Sequence, residues 1–179
     1  MKKNHAIKTT DRTMLWIVGI ALVAIVGLTI FLLVTKPKTD SAIGLLGQQF
    51  EDQGRTHIAP GTSHPAYNSN PPTSGWHYAQ PAPWGVKTEE LSDETLVHNL
   101  EHGGIWISYQ PDKLSADDKA KLENITNTHT KTILTPRAKN ESLIAVASWT
   151  RLLKLDSLDE NQINDFIKRN ANHAPEQVP

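Results

Sequence analysis

Apolar and polar positions divide the chain into three regimes. Residues 14–34 form one apolar run without a charge, and about 20 such residues are enough to cross a bilayer as a helix. Beyond it the apolar positions become periodic. Ser92 with Asp93 and Glu94 reads as a capped helix start. Leu96 and Leu100 supply the inward stripe and Gly103 the stop. Ile105 to Tyr109 reads as a strand. Ser115 opens a second helix to about Thr128, with Leu122 and Ile125 inward. The segments 132–135 and 143–149 are strand-like, the latter nearly all apolar and so central. Ser157 and Glu160 fit a capping box for a last helix that carries Ile163, Phe166 and Ile167 on one face. Residues 50–58 fit a short strand with a turn at Gln53-Gly54. No regular βαβ period runs through these elements. The expectation is one compact α+β domain with a mainly antiparallel sheet and a few short helices.

The third regime is residues 59–86. Prolines 60, 65, 71, 72, 81 and 83 exclude a helix or a central strand there. The segment also holds Tyr67, Trp76, Tyr78 and Trp84, which a flexible linker would leave uncovered. It is expected to be a long ordered loop that packs on the 98–102 helix and buries Trp76 or Trp84. In it Asn68, Asn70, Thr73 and Ser74 are expected to shape turns by bonding their own backbone.

The chain of 179 residues divides by this pattern into a cytoplasmic tail (1–13), a transmembrane helix (14–34), a linker (35–47) and an extracytoplasmic domain (48–179). Lys2, Lys3, Lys8 and Arg12 precede the span and only Lys36 and Lys38 follow it, so positive charge places the N-terminus in the cytoplasm. The apolar run is longer than a signal peptide's, and no Ala-x-Ala pattern follows it, so a retained single-pass anchor is expected. Residues 41–179 carry 12 Lys and Arg against 17 Asp and Glu, a net of −5. With no basic stripe, nucleic acid is excluded as a partner.

The chemistry concentrates in histidine. The chain has no cysteine, yet five of its eight histidines fall between positions 57 and 102. His98 and His102 are one helical turn apart, so their imidazoles share a face and make half of a tetrahedral metal site. His77 lies in a second distinctive motif, and His57 is a candidate fourth ligand. Glu101 stands between the helical pair to orient a ligand or handle a proton. Without Cys or a nearby Met, the set His57, His77, His98 and His102 suits Cu(II) or Zn(II) rather than Cu(I). The remaining histidines have plainer explanations: His64 looks least constrained, and His129 suits a helix C-terminus.

Three stretches carry a resemblance. They are Tyr67-Asn68-Ser69-Asn70-Pro71-Pro72-Thr73-Ser74-Gly75 with His77-Tyr78, then 96–104 with His-Asn-Leu-Glu-His-Gly-Gly, then Ala174-Pro175-Glu176. Together they resemble the bacterial family catalogued as domain of unknown function 3105, whose members are often membrane-anchored. The family pattern has proline in place of Trp76 and Ala-Trp-Gly-Arg in place of Ser148-Trp149-Thr150-Arg151. The resemblance implies a fold and a location but no activity.

Two other functions compete with metal binding. One is a metal-free module that binds a protein or a cell-wall glycan through Tyr67, Trp76, Tyr78 and Trp84. The other is a zinc-dependent hydrolase, since His-x-x-Glu-His matches a peptidase signature with Glu101 as the catalytic group and Glu176 as the distant carboxylate. The short helix, stopped by two glycines, fits that signature poorly.

Overall fold

The structure is a computed structural model that describes Met14 and residues 16–20 and 44–176. The described residues fall into two units, divided between residues 43 and 44. Met14 and residues 16–20 are helical, and Trp16, Ile17 and Ile20 are exposed. Among the described residues no helix is long and apolar enough to cross a membrane. Most of the expected span, 14–34, lies outside the described residues.

The second unit is α+β. Its six-stranded sheet has the order β1-β8-β7-β5-β6-β4. The strands are β1 (Gln48–Gln49), β4 (Gly85–Val86), β5 (Ile105–Tyr109), β6 (Thr132–Pro136), β7 (Ile144–Ser148) and β8 (Arg151–Leu155). Pairs β1–β8, β8–β7 and β7–β5 are antiparallel, so the sheet is mainly antiparallel as expected. Pairs β5–β6 and β6–β4 are parallel. The parallel edge arises because α2 (Ala116–Thr128) crosses from β5 to β6. A separate parallel pair joins β2 (His57–Ile58) to β3 (His77–Tyr78).

Alternation along the strands builds two cores. Ile105, Ile107, Leu134, Ile144 and Val146 face α2 and α3 (Glu160–Asn170), packing on Leu122, Ile125, Ile163 and Phe166. Trp106, Ile133, Ala145 and Ala147 face the opposite way and pack on Leu96, Val97 and Leu100 of α1 (Asp93–Glu101). β7 is apolar on both faces because it lies between β8 and β5 with a core on each side.

The helix starts at Ser92 and Ser115 are found as expected, each hydroxyl accepting a backbone N–H from three residues on. The last helix is different. Asp159, not Ser157, is its N-cap, and the carboxylate accepts from Gln162 N. Residues 50–56 form no strand, and pairing resumes only at β2. β8 was not foreseen, because Arg151 and Lys154 interrupt its apolar pattern.

The loop 59–86 is ordered and packs on α1, but it buries neither tryptophan. Trp84 is 37% exposed, while Thr73, Ser74, His77 and Ala82 are buried. Asn99 of α1 binds this loop in both directions: its Oδ1 accepts from Ala82 N and its Nδ2 donates to Ala82 O, each at 2.9 Å. The loop's polar side chains reach further than their own turns. Asn68 donates to Glu51 O, and Ser74 Oγ accepts from Gln53 N. Asn70 Nδ2 donates to Lys139 O and its Oδ1 accepts from Arg137. Arg137 in turn makes a buried two-pronged contact with Asp93, at 2.9 and 3.0 Å. This network pins the N-terminus of α1 to the sheet and to the loop.

Candidate metal centre

Four elements converge at the C-terminal half of α1. His98, Glu101 and His102 fall at i, i+3 and i+4, so they share one helix face, opposite Leu96. The β2–β3 register pairs His57 with His77, and neighbouring residues in parallel strands project to the same side. The separation of 20 positions between them is thereby cancelled, and the two ring centroids lie 4.8 Å apart. His98 closes the set, with its ring stacked 5.0 Å from His57 and edge-on 5.1 Å from His77.

Glu101 is the hub. Its carboxylate is 2% exposed, and Oε2 lies 2.9 Å from His77 Nε2 and 3.4 Å from His57 Nε2. Arg55 Nε stands 3.9 Å from Oε1. Ligand atoms of His57, His77, His98 and Glu101 all lie within 4.8 Å of one another, as do those of Glu101, His102 and Glu176. His98 Nε2 and His102 Nε2 are 3.0 Å apart, which makes the two sets contiguous.

The rings are held from behind. His77 Nδ1 donates to Gly75 O at 2.7 Å, and His98 Nδ1 donates to Tyr78 O at 2.6 Å. A donating Nδ1 leaves the Nε2 lone pair of a neutral ring free, and both Nε2 atoms point into the cluster. His77 is fully buried, so a proton or a metal ion must sit between its Nε2 and the Glu101 carboxylate. Burial, with the imidazoles of His102, His77 and His57 adding to it, holds the pKa of His98 below the ordinary 6.5 despite its bond to Tyr78. The shift favours the neutral ring, the state in which imidazole ligates.

The glycine pair after the helix lets other chain segments approach. Gly103 has φ 78°, and a Cβ there would lie 2.8 Å from Asn172 Cα. A Cβ on Gly104 would lie 2.4 Å from the Trp84 ring and 2.7 Å from Asn99 O. Asn172 N then bonds Gly103 O, and Glu176 N bonds Glu101 O at 3.1 Å. The C-terminal segment is thus strapped across the end of α1, with Glu176 Oε2 3.3 Å from His102 Nε2. Beside His57 a groove of about 510 Å³, walled by Ile58, Pro60, Tyr78 and Thr95, opens to solvent.

Of the four histidines expected to act together, His57, His77 and His98 form one group with Glu101, while His102, expected in the same set, groups instead with Glu101 and Glu176. Glu176, weighed from sequence only as a peptidase ligand, joins them. Arg55 had no sequence signal beyond its position two residues before His57. His64 is more constrained than expected, with Nε2 3.2 Å from Glu94 Oε1 and its ring against Tyr67. His129 caps α2 and reaches Asn164 Oδ1 at 2.9 Å, a structural role.

A helix and a short parallel strand pair that converge four histidines on one buried carboxylate define an α+β domain with a histidine–glutamate centre. The chain belongs to the family described as "Protein of unknown function (DUF3105)", which matches residues 57–179 and so covers all six histidine and glutamate side chains of this centre. No curated protein and no solved structure matches the chain.

Proposed function

We propose that the protein binds a divalent transition metal, Zn(II) or Cu(II), through His57, His77, His98 and Glu101. One observation carries this: the Gly75 carbonyl fixes the His77 imidazole so that its Nε2, like that of His57, meets a buried carboxylate, and the Tyr78 carbonyl fixes His98 with its ligand atom within 4.8 Å of the same group. Such carbonyl-anchored rings are the usual outer support of metal-ligating histidine. The separations of 2.9 and 3.4 Å from Oε2 to the two imidazoles bracket the ~3.3 Å edge of a tetrahedron with metal bonds near 2.0 Å. Three nitrogens and one oxygen suit Zn(II) or Cu(II). The engagement of Glu101 by two imidazoles favours a ligand over a free general base, which weighs against the hydrolase alternative. The exposed aromatic Trp84 alone supports the metal-free module.

The same proposal places the domain outside the cytoplasm on a single membrane anchor. Its support is the uncharged apolar run of 14–34 and the excess of positive charge before it.

The test is calorimetric titration of Zn(II) or Cu(II) into the chelator-stripped full-length chain in detergent, with elemental analysis of the product. Saturable binding is expected in the wild type and a weaker affinity in His57→Ala. That side chain is 46% exposed, so its removal leaves the fold intact. Failure of the wild type to bind either ion would overturn the proposal.

A further inference from the structure

We infer that the centre holds a second metal ion, bound by His102, Glu176 and the far oxygen of Glu101, so that Glu101 bridges two ions. The inference rests on the metal-binding role proposed above. Six side chains of ligating type are contiguous here, more than the four that complete a tetrahedral site. They divide into two sets that share only Glu101. Oε2 is met by His57 and His77, while Oε1 has only Arg55 Nε beyond hydrogen-bond reach, at 3.9 Å. With Oε2 engaged by two imidazoles, Oε1 is the oxygen left to bridge to a second ion, as a carboxylate can in a two-metal centre.

Two features make the second position a built one. Glu176 is not a free surface acid: its backbone N–H bonds the carbonyl of Glu101, and the strap behind it fits only because residue 103 lacks a Cβ. His102 is the C-cap of α1, so its imidazole stands at the negative end of the helix dipole, where a cation is favoured. The Nε2 atoms of His98 and His102, 3.0 Å apart, then serve neighbouring ions. Arg55, half exposed, is free to swing away from Oε1 as the second ion enters.

The test is the stoichiometry and coupling of bound metal in the full-length chain. Titration with Zn(II) should show two equivalents in the wild type and one in Glu176→Gln, with the second event weakened about 100-fold or more. Cu(II) loaded to two equivalents should give a spin-coupled EPR signal in the wild type. In His102→Ala only the signal of an isolated Cu(II) should remain. A wild type that binds one equivalent, or a Glu176→Gln variant that still binds two with unchanged affinity, would overturn the second site and leave the first standing. A wild type that binds none would overturn both.

Discussion

Glutamine at position 101 is the sharpest single probe of the centre. It preserves the shape of the side chain and an oxygen that can accept from His77, but it removes the charge on which two imidazoles converge. For the wild type, Zn(II) at about a hundred times its dissociation constant stabilises the folded state by about 2.7 kcal/mol. A domain of this size melts roughly 4 °C higher for each kcal/mol, so the expected rise in Tm is about 10 °C. Loss of an anionic ligand should weaken affinity by ~100-fold or more. At the same Zn(II) concentration the variant is then near half-saturation, where the gain is only about 0.4 kcal/mol and the shift under roughly 2 °C. The assay is thermal unfolding of both proteins with Zn(II) and with chelator, after circular dichroism has shown that the chelated variant is folded. Equal shifts in the two proteins would refute the role of Glu101. A wild-type Tm indifferent to Zn(II) would refute the centre itself.

The scaffold yields further expectations. Asp93→Asn leaves the buried guanidinium of Arg137 without its counter-charge and should destabilise the domain by about 3 kcal/mol in denaturant melts. Burial raises the pKa of Asp93, but the bonds from Arg137 and Lys139 win and hold it below the ordinary 3.8. The stabilisation is therefore present above pH 3.8 and lost as pH falls through the lower folded value, a loss that acid titration of the wild type should show and Asp93→Asn should lack. Gly104→Ala drives a methyl into the Trp84 ring and the Asn99 carbonyl, so it should lower stability by about 1–3 kcal/mol and weaken Zn(II) binding with it. Thr150 sits at φ 59° in the two-residue turn between β7 and β8, a conformation that favours glycine; Thr150→Gly should raise stability by about 0.5–1 kcal/mol, read as a Tm gain of a few degrees. Protease added to intact spheroplasts should digest the chain beyond about Thr35, and protection of that region would reverse the proposed orientation.

The elements that sequence exposes are those with a strong local signal. Ser92 and Ser115 announce helices because a cap acts within one turn, and β5 and β7 announce themselves because both of their faces are apolar. β8 hides because charged Arg151 and Lys154 share it with the leucines that enter both cores. The parallel edge of the sheet hides because β4 is two residues long and its partner, β6, follows in sequence by way of α1, β5 and α2. The centre divides in the same way. The helical triplet His98, Glu101 and His102 is legible from spacing alone, since a helix fixes which residues are neighbours. The meeting of His57 with His77 is not, because it depends on a two-residue parallel pairing that no local pattern encodes. The partners that aim the rings are backbone carbonyls of Gly75 and Tyr78, and a carbonyl has no letter in a sequence. What the amino-acid types do specify is the inventory: four imidazoles, two carboxylates, and glycines where chain must cross chain at van der Waals distance. The strap serves the core as well as the centre, since Ala174 packs against the cluster of Leu96, Val97 and Leu100 while Glu176 meets His102.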